Sequence, residues 1–384
     1  MTFILISIFL LILYTALLLY YRKGWRQIPA YVPKKLDENE FPFISIIIAA
    51  RNEEKNIGAC IQSILNQTYP QHKFEIIVTD DHSADNTVSI VESFKKDNII
   101  LLHLSDFIEN QELNSYKKKS IDTALKFAKG ELIVTTDADC IAGEKWIETL
   151  ASFYKEKSPV FVALPVTFAP IGEGLGVRLF KIFQSLDFMT LQGITGASVF
   201  KKVHAMCNGA NLAYQKEVFF EVGGFEGIDQ IASGDDMLLM HKIQTQYPNE
   251  IMFLKSKDVI VTTKAAGSLK EFMNQRIRWA SKADIYTDKK ITAVLLLVYL
   301  LNAWLLIVGL SSFFYLNMFY LFLAAIVVKT IVELLFLFPV AAFFGKQKQL
   351  WWFLPAQPFH IFYTVIAGWL GKFGSYQWKG RRVK

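Results

Sequence analysis

Two stretches of this chain carry almost no charge for longer than a soluble core element needs, and they divide the sequence. Residues 3–21 (FILISIFLLILYTALLLYY) contain no charged side chain, and as a helix they are long enough to cross the ~30 Å hydrocarbon layer of a bilayer. Residues 291–344 contain only Lys329 and Glu333. That run is too long for one crossing and breaks near Asn317, which predicts two helices over about 291–315 and 318–344. Lys329 and Glu333 stand four residues apart, on one helix face, where they can form an ion pair turned into a bundle. Between the apolar runs the composition is that of an ordinary globular domain, so a polytopic transporter is excluded.

The net charge of +6 is small, but its placement is informative. Arg22, Lys23, Arg26, Lys34 and Lys35 follow the first apolar run, Lys289 and Lys290 precede the second, and Lys379, Arg381, Arg382 and Lys384 lie in the final segment. Basic residues beside apolar spans mark the cytoplasmic side of a membrane. The expectation is a multi-pass protein of the cell (inner) membrane, with residues 1–21 as an uncleaved anchor and the central domain in the cytoplasm. No positive region precedes the anchor and no small-residue cleavage site follows it, which argues against a signal peptide. Residues 350–371 contain Pro355 and Pro358 near their start and predict a re-entrant or interfacial segment that returns the basic tail 372–384 to the cytoplasm. No basic stripe with interleaved aromatics occurs in the central part, so nucleic acid is not an expected partner. Cys60, Cys140 and Cys207 lack metal-ligand spacing and read as small buried residues.

After a polar linker over 22–40, apolar runs at 43–49, 74–79, 99–104 and 131–136 alternate with helical patterns. Continuous apolar strands alternating with helices predict an α/β, Rossmann-like domain with a mostly parallel sheet covered on both faces. In such sheets the functional groups stand just beyond the carboxyl ends of the strands. That rule selects Arg51-Asn52-Glu53, Asp80-Asp81-His82-Ser83 and Asp137-Ala138-Asp139. Each also admits a plain reading, since Asp, Ser and Asn are good helix caps. Coincidence of three polar segments at three strand ends favours a site. Asp137 and Asp139 can hold a hard divalent cation that neutralises a diphosphate. Lys117-Lys118-Lys119 precedes the helix leading into the Asp137 strand, and Lys119 is the one expected to reach that diphosphate. Gly172, Gly174 and Gly176 make a flexible loop with no preceding strand, hence a poor dinucleotide fingerprint. The helix-like stretch after them reads as ordinary core.

The ordered set Ser45–Glu54 (SIIIAARNEE), Thr79–Asp85 (TDDHSAD) and Thr136–Asp139 (TDAD) resembles the inverting family 2 glycosyltransferases, which have a GT-A fold. Further matches follow in order: Asn208-Gly209-Ala210-Asn211 with Gly223-Gly224-Phe225, then Gly234-Asp235-Asp236, then Gln275–Trp279 (QRIRW). The last is the Gln-x-x-Arg-Trp motif of membrane-integrated members. Asp235 stands where the family usually has Glu.

The resemblance implies a catalytic domain over 41–270, an interfacial helix over 271–290 and membrane segments over 291–371. It implies Asp236 as general base, supported by Asp235. Ala49, Arg51, Glu53, Asp80, Asp81, Lys119, Asp137, Gln275, Arg278 and Trp279 would contact the nucleotide-sugar. Asp139, helped by Asp137, would hold a divalent metal (Mg2+ or Mn2+), and Asn208, Gly209, Asn211 and Asp235 would face the acceptor. The implied donor is a UDP-sugar and the implied acceptor a membrane lipid. A processive polysaccharide synthase of the cellulose, hyaluronan or poly-N-acetylglucosamine type shares Gln-x-x-Arg-Trp, but two or three spans after the domain are few to build a polymer channel. A catalytically inactive scaffold would be expected to have lost Asp139, Asp236 or Arg278, and all three are present.

Overall fold

The computed structural model describes the chain except residues 109–112, 171–173, 205, 284, 287, 375, 379, 380 and 384, and the side chains of 175, 376–378 and 381–383. Gly172, Lys379 and Lys384 therefore lie outside the described residues, as do the side chains of Arg381 and Arg382. The chain forms two compact units: residues 28–169 with 205–264, and residues 1–27 with 170–204 and 265–384.

The first unit is the α/β domain. Its strands are β1 (Ile44–Ala50), β2 (Phe74–Asp80), β3 (Ile99–His103), β4 (Leu132–Asp137), β5 (Phe161–Ala163), β6 (Val166–Phe168), β7 (Leu212–Gln215), β8 (Ile251–Phe253) and β9 (Val261–Thr263). Seven of them make one sheet in the order β3-β2-β1-β4-β7-β5-β8. β1 to β4 run parallel, and β7 runs antiparallel to both of its neighbours, β4 and β5. The small parallel pair β6–β9 stands apart. β2 is buried at every position and β1 at all but one, which is why their sequences read as unbroken Val/Ile runs without alternation. The register brings Ala49 level with Thr79 on one side and Asp137 on the other. One end of the sheet therefore gathers the residues that follow β1, β2 and β4.

The second unit is helical. Three of its helices, Thr2–Gln27, Lys289–Ser311 and Leu316–Phe343, are long and apolar enough to cross a membrane. The others are Leu175–Lys201, Leu269–Ala280 and Phe353–Phe373. Two differences from the sequence-based expectation are clear. Residues 170–204, expected inside the catalytic domain, cluster with the apolar helices. Residues 353–373 form one continuous helix with Pro355 and Pro358 in its opening turns, which departs from the re-entrant form of the expectation and not from the interfacial one. Pro355 is accommodated because first-turn N–H groups have no partner within the helix, whereas Pro358 lies inside it and removes one helix hydrogen bond.

Within this unit four buried polar side chains satisfy one another. The Lys329 ammonium lies 2.7 Å from Glu333, as their spacing predicts, and donates to Gln357 Oε1 at 2.7 Å. Gln357 in turn donates to Glu333, as does the Tyr14 hydroxyl at 2.6 Å. The closed set ties together the helices Thr2–Gln27, Leu316–Phe343 and Phe353–Phe373.

Candidate active site

At the carboxyl end of β1 and β2, two loops are laced together by side chain to backbone hydrogen bonds. Arg51 donates to the Asp81 carbonyl at 3.0 Å and lies 3.3 Å from its carboxylate. The amides of Asn52, Glu53 and Glu54 donate to Ser83, Thr87 and Asp85, and the Ala84 amide donates back to Asn52 Oδ1. Asn52 and His82 take left-handed conformations, with φ of 52° and 54°. Such backbone is tolerated where surrounding bonds fix it, and it is concentrated at functional sites. Arg51, Glu53 and Asp81 thus shape a rigid rim. Asp80 is different: it is buried, Oδ2 accepts only the Ser83 amide at 3.2 Å, and Oδ1 meets no donor. A buried carboxylate oxygen left without a donor is costly, and a ligand N–H or hydroxyl would satisfy it.

The second half of the site follows β4. Lys117 lies 2.7 Å from Asp137 and 3.2 Å from Asp235. Burial alone would lower the pKa of Lys117, but Asp137, then Asp235 and Asp236, outweigh it and hold the value above that of an ordinary lysine. Asp139 accepts from Thr263 Oγ1 at 3.1 Å. Burial and then the neighbouring Asp137 push its pKa up, against the opposing Thr263 bond. Such a carboxylate gains most from a cation.

Asp235 and Asp236 open the helix Asp235–Gln246, after Gly234, whose φ of 83° favours glycine. The loop before them is pinned by Lys118, whose buried ammonium donates to the carbonyls of Ile228, Ile231 and Ser233. Asp236 Oδ2 accepts the Gly209 amide at 2.9 Å. A side chain at Gly209 would come within 3.3 Å of both Asp235 and Lys117. Asn208 Oδ1 is turned to the Ala210 amide, and Thr136 Oγ1 holds the Ala210 carbonyl. This segment is thereby fixed against the end of β4.

The structure therefore brings together Asp137, Asp235, Asp236, Gly209 and Lys117, and separately Arg51, Glu53, Asp80 and Asp81. Ala49 lies at the end of β1 between β2 and β4. Two expectations change. Lys119 lies 3.9 Å from Asp122 on its own helix, and Lys117 is the lysine among the carboxylates. Asn211 is fully buried, donating to the Pro165 and Val259 carbonyls and accepting from Trp146 Nε1. It braces the fold behind the site, with both side-chain N–H groups spent on those carbonyls. Gln275, Arg278 and Trp279 belong to the helical unit, on Leu269–Ala280. Lys117, Lys118 and Thr263 were missed by motif reading. Helical spacing could have found the first, because Lys117, Ile121, Ala124 and Ala128 share one face while Lys119, Asp122 and Lys126 share another.

No group of three or more metal-ligating side chains converges among the described residues. Asp137 and Asp139 nevertheless suit a hard cation that takes its other ligands from phosphate oxygens and water, as Mg2+ commonly does.

Residues 45–223 match the family model described as "Glycosyl transferase family 2". Among curated proteins, the chain is 28% identical over 198 residues to glycosyltransferase AglE of Haloferax volcanii, covering 51% of this chain and 59% of that one. It is 29% identical over 132 residues to the beta-monoglucosyldiacylglycerol synthase of Trichormus variabilis, covering 34% and 27%. The chain thus spans less than two thirds of these relatives' lengths. Among solved structures, a mannosyltransferase from Pyrobaculum calidifontis in complex with GDP-Man and Mn2+ aligns over 96% of this chain and 98% of its own, with a TM-score of 0.60 and 20% identity. The fold is GT-A, and residues 45–223 match a glycosyl transferase family 2 domain.

Proposed function

We propose that this protein is an inverting glycosyltransferase of the membrane that moves one sugar from a nucleoside-diphosphate sugar to a lipid hydroxyl. The observation that carries the reading is the cluster Lys117–Asp137–Asp235–Asp236 at the end of β4, beside the Asp80–Asp81 loop. Donor recognition begins at Asp80, whose free Oδ1 accepts from the nucleobase or ribose, within the rim made by Arg51, Glu53 and Asp81. Lys117 turns from Asp137 to the diphosphate, a single ammonium serving carboxylate and phosphate in turn. Asp137 and Asp139 would hold a divalent cation, whose charge would neutralise the leaving nucleoside diphosphate. Asp236 takes the proton of the acceptor hydroxyl as its oxygen bonds to the anomeric carbon and the bond from that carbon to phosphate oxygen breaks. Attack from the face opposite the leaving group inverts the centre. Asp235 holds Lys117 and sets the charge beside the base.

Three membrane-length helices, basic residues beside them, and a relative named for glucosyldiacylglycerol synthesis support a lipid acceptor and a cytoplasmic site. The test is transfer by detergent-purified protein with Mn2+, radiolabelled UDP- and GDP-sugars and extracted membrane lipids. Label is expected in the organic phase. Label confined to high-molecular-weight polymer would replace this reading with processive synthesis, and no transfer from any donor would remove both.

A further inference from the structure

The helix Leu269–Ala280 carries Gln275, Arg276, Ile277, Arg278 and Trp279 in sequence, and at 100° per residue Gln275, Arg278 and Trp279 fall on one face. Arg276 falls outside that face and is buried, with Phe272 and Ile277, in an aromatic-walled core with Phe183 and Tyr363. Its guanidinium addresses four side chains at once. Nη2 lies 2.5 Å from Asp187 Oδ2, in an ion pair whose side chains are only 4% and 7% exposed. Nη1 donates to Gln275 Oε1 at 2.9 Å. The guanidinium carbon stands 4.2 Å from the centre of the Trp279 ring and 4.6 Å from that of Phe272. Asp187 is itself fixed: the Tyr363 hydroxyl donates to Oδ1, with His360 Nε2 4.0 Å from the same atom. Phe188, next to Asp187, has its ring 6.3 Å from that of Trp279.

A charge buried only to join helices would need one counter-charge. Here a planar fork spends its remaining surface on two residues of the Gln-x-x-Arg-Trp motif, which a lysine could not do. We propose that Asp187 and Arg276 are a positioning pair, which orients Gln275 and Trp279 for sugar transfer. Asp187 fixes the guanidinium; the guanidinium holds the Gln275 amide by a hydrogen bond and the Trp279 indole by stacking. The proposal rests on the reading that this motif takes part in transfer.

The test compares Arg276→Lys with wild type in the lipid transfer assay, with Gln275→Ala and Trp279→Ala in parallel. Lysine keeps the charge beside Asp187 and so preserves the ion pair, but loses the fork and the stack. Arg276→Lys is expected to lower kcat by about 100-fold, the scale of a misplaced reactive group, with the donor KM within about threefold. In protein labelled with 5-fluorotryptophan, the 19F resonance that Trp279→Phe removes is expected to shift in Arg276→Lys. Should that variant fold poorly, the charge-free pair Asp187→Asn/Arg276→Gln reports the same kcat loss and resonance shift. Wild-type kcat with an unshifted Trp279 resonance would overturn the proposal and leave the pair as a helix fastening. Full activity in Gln275→Ala and Trp279→Ala would remove the motif reading, and the proposal with it.

Discussion

Two sets of buried charge, one in each unit, are arranged in opposite ways. In the helical unit, Lys329, Glu333, Gln357 and Tyr14 close on one another. In the α/β unit, the carboxylates at the strand ends are left less complete: Asp80 Oδ1 has no donor, and burial and then Asp137 raise the pKa of Asp139, beside the Lys117 that joins Asp137 to Asp235. Closed sets hold a fold together, whereas open ones are arranged for something that is not protein. Buried polar groups without partners destabilise unless a ligand completes them, so the difference between these two sets separates architecture from chemistry.

Substitution can break that contrast, and the largest effect is expected at Asp236. Asp236→Asn should lower kcat for transfer by about 1,000-fold, within the range for loss of a general base, with donor affinity measured by calorimetry nearly unchanged. Retained activity would remove Asp236 as the base. In the closed set of the helical unit, Lys329→Met strands Glu333 and should destabilise by roughly 3–5 kcal/mol, read as a lower thermal midpoint in detergent. Adding Glu333→Leu should recover most of it and leave transfer intact. Failure of the double variant to recover would show that the charges do more than hold helices.

Two smaller effects sharpen the α/β side. Lys117→Ala should reduce kcat/KM for transfer by about 10- to 100-fold, the worth of a hydrogen bond between charged groups. Lys119→Ala should stay within about twofold of wild type, as for an exposed ion pair. The reverse order would return the diphosphate role to Lys119. Asp80→Asn should weaken nucleoside diphosphate binding by about tenfold through loss of one charged acceptor, and unchanged affinity would show that Asp80 faces no ligand.

Much of the contrast was legible in the sequence. β1, β2 and β4 announce themselves as continuous apolar runs, and the polar residues after each form the site rim. The Lys329–Glu333 pair follows from its four-residue spacing inside an apolar helix. Other features depend on contacts between residues far apart in sequence. Asn211 lies in a segment that looks like an acceptor motif, yet carbonyls 46 and 48 residues away and the Trp146 indole absorb it. Residues 177–191 read as core because Phe180, Phe183 and Phe188 are apolar, but an apolar face does not name the partner that buries it. Lys117 was legible only if helical spacing had been weighed above proximity to β4.

The central claim is that the open charges after β4 bind a metal–nucleotide donor. Calorimetric titration of the purified protein with UDP and with GDP, in Mn2+ and in chelator, tests it most directly, with Asp139→Asn as comparison. The account predicts that at least one nucleotide binds in Mn2+, that chelation weakens it, and that Asp139→Asn abolishes this dependence. Binding equally strong in chelator, or a metal dependence that survives Asp139→Asn, would contradict it.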